Sequence, residues 1–184
     1  MVPLLKTDRL ILRALAPSDA GPLQLYASDL RVARMTTSIP HPYPPGAAEA
    51  LIAASLAGKT GETVWALDAT PSDGTDLVGL ISYRPSATEI GYWVGPPFWN
   101  TGFATEAVEA LIAHLFGGGH AERLVERVFS DNLASAQVLW KCGFQESGTT
   151  QCYSVARAEA VTARLFTLDR AQWAARQRRE TAAE

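Results

Sequence analysis

Cysteine is scarce in this chain: Cys142 and Cys152 are the only two among 184 residues. They form no C-x-x-C pair and have no adjacent histidine, so neither a disulfide framework nor a zinc site is indicated, and both are read as reduced core thiols. Histidine is almost as rare. His41, His114 and His120 are scattered, and neither H-E-x-x-H nor G-x-S-x-G occurs, which removes the main supports for metalloenzyme and hydrolase readings. Positive charge is not in excess: 16 Lys+Arg stand against 19 Asp+Glu, a net charge of -3. No basic field exists to gather nucleic acid or anionic lipid, so neither partner is expected and any bound anion must be held locally.

Long apolar runs are also missing. The richest stretch, residues 107–116, is interrupted by charge and is shorter than the roughly 20 residues that cross a bilayer. Lys6, Asp8 and Arg9 fall where a signal peptide needs its apolar segment, so a soluble, cytoplasmic protein is expected. What is present in quantity is hydrophobic residue, 47% of the chain, enough at this length to bury the core of one domain spanning 1–184.

No internal repeat or low-complexity linker interrupts the chain. RLILR (9–13) alternates as a short half-buried strand does, and Ala16-Pro17-Ser18-Asp19 reads as a helix start. MTTSIPHPYPPG (35–46) carries four prolines that exclude regular structure and hold an extended loop. A helix is expected over 47–56, then three strands over 64–68, 77–83 and 89–94, an antiparallel meander. Apolar positions from Ala104 to Leu115 recur at helical spacing until Gly117-Gly118-Gly119 stops them. A strand over 124–129 follows. Asn132 then caps a helix that ends at Gly143, with Phe144 beyond it for the apolar closing contact. Strands over 145–155 and 163–168 and a terminal helix over 169–179 complete a mixed α/β (α+β) sheet domain.

Two phosphate motifs fail on inspection. Gly58-Lys59-Thr60 ends like a P-loop, but Ala53 stands where the leading glycine is needed and a helix precedes it. The triple glycine follows a helix and not a strand, so it terminates and does not bind a dinucleotide. The unit EIGYWVGPPFWNTGFATEAVEALIAHLF (89–116) is different. A strand turns through two prolines into the exposed first turn of a long helix, whose free N–H groups and positive dipole end make an anion site suited to a pyrophosphate. Small residues at a strand-to-helix turn also have a purely structural reading.

Read together with DNLASAQVLWKCGF (131–144), this unit resembles the GNAT superfamily of N-acetyltransferases, with its loop pattern falling on Trp99, Gly102 and Ala104 and its next helix opening with Asn and closing Lys-x-Gly-Phe. TDRLILRAL, Pro-His-Pro-Tyr, Glu-Ile-Gly-Tyr-Trp and Gly-Phe-Ala-Thr-Glu-Ala make it most similar to the branch that includes ribosomal-protein N-terminal acetyltransferases, over residues 6–175. The resemblance implies a mostly antiparallel sheet with a splayed strand pair that takes acetyl-CoA, and no metal. It places the pantetheine along Trp93, Val94 and Gly95, and the pyrophosphate on the amides of Asn100, Thr101, Gly102, Phe103 and Ala104 beside Trp99. Asn132 and Ser135 would sit near the pantetheine arm.

The implied reaction is direct attack of an amine on the thioester. Such an amine is mostly protonated at neutral pH, so a base is required, and Glu89 is the candidate, with His41 as a weaker one. The Val94 amide is the expected donor to the oxyanion. Many relatives carry a tyrosine seven residues after the asparagine; Leu139 stands there, leaving Ser135 or water to protonate the thiolate. Glu106 would repel a pyrophosphate and is read as structural. His41, Tyr43, Trp93 and Tyr153 are expected at the acceptor, with Trp65 and Phe98 as further aromatic candidates. The acceptor is a protein N-terminus, such as that of a ribosomal protein, or a small amine, taken up by a monomer or homodimer. A non-catalytic acyl-CoA-binding module is the alternative, and a nucleotide-binding module a third.

Overall fold

The computed structural model describes residues 2–181. Two short strands, β1 (Leu5–Lys6) and β2 (Ile11–Arg13), precede helices α1 (Ala20–Ala27), α2 (Leu30–Ala33) and α3 (Ala47–Leu56). Strands β3 (Thr63–Asp68), β4 (Gly79–Arg84) and β5 (Glu89–Val94) lead into α4 (Phe103–Gly117). Then come β6 (Arg123–Phe129), α5 (Leu133–Lys141), β7 (Gln145–Ser154), β8 (Glu159–Asp169) and α6 (Arg170–Thr181). The strands form one eight-stranded sheet in the order β1-β2-β3-β4-β5-β6-β8-β7. Every neighbouring pair is antiparallel except β5 and β6.

Strand alternation sends side chains to two helix layers. On one face, Val64, Ala66 and Leu80 pack with Leu23 of α1 and with Ala48 and Ile52 of α3. On the other, Trp65, Ile81, Ile90, Leu124 and Phe166 pack against Val108, Leu111 and Leu115 of α4 and Leu139 of α5. Arg13 ties the start of the chain to the sheet, donating to buried Asp19 through two nitrogens at 2.9 Å and to Asp68 at 2.9 Å.

The expected meander and the helices of the second half are where the spacing placed them. Gly143, at φ 92, and Phe144 close α5 as expected: their amides donate to Trp140 O and Leu139 O. Two elements are additional. β1 is too short to show a period, and α2 is a single turn started by the Asp29 carboxylate accepting from the Arg31 amide at 2.8 Å. β8 begins at Glu159 and not at 163, because hairpin pairing from Ser154↔Glu159 extends it through residues with no apolar pattern.

β5 and β6 pair at one point, the first residue of β5 and the third of β6. Glu89↔Val125 is the one register pair, with Val125 N–H donating to Thr88 O at 2.9 Å. Beyond it the strands diverge and leave a wedge through the middle of the sheet.

Candidate active site

The phase of β5 determines what lines the wedge. Gly95 N–H donates to Val78 O at 2.8 Å, so by antiparallel alternation Trp93 and Gly91 turn their main-chain groups to β4. Tyr92 and Val94 turn theirs the other way, into the wedge. Val94 therefore aims its N–H into the wedge, while its own carbonyl accepts the Trp99 indole N–H at 2.7 Å. Gly95 is required by packing: a Cβ there would lie 2.8 Å from Cγ of Tyr26.

The chain leaves β5 through Pro96 and Pro97 and reverses at Asn100 (φ 62) and Gly102 (φ 86) before α4 begins. The first intrahelical bond runs from Glu106 N–H to Gly102 O at 3.1 Å, so the amides that open this 15-residue helix have no intrahelical partner, and that of Phe103 makes only a long bond to Thr101 Oγ1 at 3.4 Å. Such a terminus accepts phosphate oxygens without a metal. Arg9 braces the turn, donating to Thr101 O at 2.8 Å and stacking over the Phe103 ring at 5.0 Å.

Glu106, in the first turn of α4, is engaged by the start of the chain. Its carboxylate accepts from the Thr7 hydroxyl (2.6 Å), the Arg9 amide (2.9 Å) and the Arg9 guanidinium (2.7 Å). Burial pushes this carboxyl up, but those donors outweigh it and hold it below the usual value. Its reading as a structural residue is thus supplied with partners.

On the helix side of the wedge, Asn132 caps α5 by accepting the Ser135 N–H at 3.2 Å. Tyr92 crosses from β5 to meet it, its hydroxyl 2.8 Å from Ser135 Oγ and donating to Ser135 O at 3.1 Å. Burial holds the Tyr92 phenol well above its ordinary value. Leu139 is fully buried in the core and brings no hydroxyl to this place.

On the opposite face the wedge opens into a cleft of about 220 Å³. Leu23, Met35, Ile39, Tyr43 and Leu51 make its apolar walls, and Glu89, Trp93, Glu126 and Arg127 lie among its lining residues. Glu89 is closely held: both its oxygens accept from Arg127 (2.7 and 2.8 Å), and Oε2 also accepts from Arg84 at 3.2 Å. Glu126 has no ion-pair partner among the described residues. Burial and the nearby charge of Glu89 push its carboxyl well above the usual range, against the opposing pull of Arg127 and Arg84.

Of the four acceptor candidates, Tyr43 and Trp93 line this cleft and the other two do not. His41 is exposed on the proline loop outside the cleft lining. Tyr153 is 60% exposed, because Cys152 and Ser154 on either side of it turn into the protein. Trp65 is a core residue whose indole donates to Pro3 O, and Phe98 packs edge-on against Tyr26. The residues that sequence reading passed over are Arg9, Tyr92, Glu126 and Arg127. Among the described residues, no three His, Cys, Asp or Glu side chains group as a metal site, and no helix is long and apolar enough to cross a membrane.

Residues 9–145 match the model of the acetyltransferase (GNAT) domain family. The uncharacterized N-acetyltransferase YoaA of Bacillus subtilis (strain 168) is 31% identical over 160 residues, which cover 83% of this chain and 89% of that protein. Among solved structures, the microcin C7 self-immunity acetyltransferase MccE in complex with acetyl-CoA and AMP superposes with a TM-score of 0.76 at 19% identity, covering 89% of this chain and 93% of that one. RimL, the ribosomal L7/L12 alpha-N-protein acetyltransferase in complex with coenzyme A, gives 0.77 at 16%, covering 91% and 98%. The open, mostly antiparallel sheet flanked by helices is thus the fold of these acetyltransferases, and the family match over most of its length shows that the chain belongs to the GNAT acetyltransferases.

Proposed function

We propose that this acetyltransferase moves the acetyl group of acetyl-CoA to a primary amine that enters from the cleft bounded by Ile39 and Tyr43. One observation carries the reading: beyond Glu89↔Val125 the strands β5 and β6 separate, with the cleft on one side of the gap and with β5 leading through the 95–102 turn into the N-terminus of α4. A thioester held in the wedge meets an acceptor that enters from the cleft.

In this reading the amides of Asn100, Thr101, Gly102, Phe103 and Ala104 receive the pyrophosphate, and Trp93, Val94 and Gly95 flank the pantetheine. Val94 N–H stabilises charge on the carbonyl oxygen as the amine adds. Ser135, whose amide is capped by Asn132 and whose hydroxyl meets that of Tyr92, lies beside the sulfur. Glu89 supplies negative charge that draws an ammonium into the cleft. Three guanidinium N–H groups already fill most of its acceptor positions, which makes it a poor receiver of a further proton. Tyr43 and Trp93 contact the acceptor, which is a peptide N-terminus, as the name of the RimL neighbour states for that protein, or a small amine.

Thiol release from acetyl-CoA against Ala-, Ser- and Met-initiated peptides, polyamines and amino acids tests this. Acceptor-dependent release is expected. Leu139 in place of a hydroxyl residue favours a second reading, a module that binds acyl-CoA without turnover; tight binding with no release across the panel would select it.

A further inference from the structure

Glu126 is a carboxylate that the motifs and the acetyl-transfer reading leave unused. Its neighbours Leu124 and Val128 are buried in the core under α4 and α5, so strand alternation puts Glu126 on that face, with Tyr92. Arg127 turns to the other face and pairs with Glu89. Glu126 is nonetheless a lining residue of the acceptor cleft, half-buried where the wedge passes through the sheet. It therefore borders both the space that receives the thioester and the space that receives the amine.

The three carboxylates that line the cleft, Glu62, Glu89 and Glu126, differ in what holds them, and Glu62 pairs with Arg84 at 3.6 Å. Guanidinium donors from Arg127 and Arg84 occupy Glu89. Glu126 faces the Arg127 amide, the phenol of Tyr92 and, across the β6–β8 ladder, the apolar Phe166. The charges that bear on it are Glu89 of β5, Arg84 of β4 and Arg127 of its own strand.

We propose that Glu126 is the catalytic base of the acetyl transfer and that the same carboxyl then protonates the departing thiolate. The proposal rests on the acetyl-transfer reading. As the N–C bond forms and the carbonyl π pair moves to oxygen, the Glu126 carboxylate takes one proton from the amine nitrogen. When C=O re-forms and the C–S bond breaks, sulfur leaves with the bonding pair and Glu126 returns that proton to it. Amine and thioester become amide and thiol, and Glu126 ends ionised as it began. An acceptor that arrives as an ammonium loses its first proton to water. This shuttle removes the need for the hydroxyl that Leu139 does not supply. Burial suits the carboxyl to it, because a proton carrier works best when its affinity for the proton lies near the working pH.

Glu126→Gln, Glu126→Asp and Glu89→Gln test the assignment in the full chain, with thiol release followed across pH and acetyl-CoA binding titrated separately. Glu126→Gln is expected to lower kcat about 100-fold at neutral pH, with the acetyl-CoA Kd held within about twofold and loss of the rising pH limb that belongs to the carboxyl. Glu126→Asp should restore part of the rate, and Glu89→Gln should keep the limb and raise KM for the amine. A Glu126→Gln enzyme within about threefold of wild type, or loss of the limb in Glu89→Gln, overturns the proposal. Should the glutamine variant not fold, carbon-13 titration of the Glu126 carboxyl in the wild-type chain decides. Titration well above the ordinary carboxylate range is expected, and an ordinary value overturns the assignment. Wild type that releases no thiol with any amine overturns the transfer reading and this proposal with it, whereas release that survives in Glu126→Gln overturns this proposal alone.

Discussion

Tyr92 of β5 and Ser135 of α5 join the two sides of the wedge, with their hydroxyls 2.8 Å apart. With the phenol proton donated to Ser135 O, the serine hydroxyl donates to the phenol oxygen, and its rotamer is fixed. Tyr92→Phe should cost about 1–2 kcal/mol of stability, the loss of a buried hydrogen bond, and lower kcat more than it changes acetyl-CoA affinity. Urea unfolding and thiol release measure the two effects; an unchanged kcat would remove Ser135 orientation from the mechanism.

Gly102 tests the phosphate turn. At φ 86 any L side chain is strained, and a Cβ would approach Arg9 Nη2 to 3.1 Å. Gly102→Val should raise the acetyl-CoA Kd about tenfold, since a left-handed conformation costs a side chain roughly 1–2 kcal/mol. Calorimetric titration checks it, and wild-type affinity would move the pyrophosphate elsewhere.

Arg9 braces the same turn from a distance. Arg9→Ala leaves Glu106 partly buried without its guanidinium partner and should destabilise the fold by about 1–3 kcal/mol while weakening acetyl-CoA binding. Glu106 also gives stability a pH dependence. Its folded value lies below the ordinary 4.5, so its contribution is whole above that value and is lost as the pH falls through the folded one. Thermal melts of wild type should decline through that acidic window, and Arg9→Ala should decline less steeply.

Cys142 lies beneath α4, and burial pushes its thiol up to about 12. Native protein should therefore leave Cys142 unmodified by iodoacetamide at mildly alkaline pH, with labelling only after unfolding. Peptide mapping by mass spectrometry gives the answer; rapid native labelling would mean that α4 and α5 separate readily.

The parts of the fold legible in the sequence are those with a local cause. α4 shows its apolar spacing and its glycine stop, and α5 shows Asn132 at one end and Gly143-Phe144 at the other. The turn before α4 is legible because Gly102 precedes a long helix. Glu126 is not, since alternation in RLVERV puts a charge on each face of the strand without saying what either one meets, and only the divergence of β5 from β6 brings that carboxyl into a cleft. Tyr92 is hidden in the same way, because its partner is 43 residues distant. His41 and Tyr153 show the converse: a proline loop and an edge strand carry no local signal of which way a side chain points, and both point outward.

The measurement that bears most directly on the account is acceptor-dependent thiol release from acetyl-CoA by wild type and Glu126→Gln, side by side. The account predicts release by wild type with at least one primary amine, and about 100-fold slower release by the variant at unchanged acetyl-CoA affinity. Equal rates in the two proteins would contradict it.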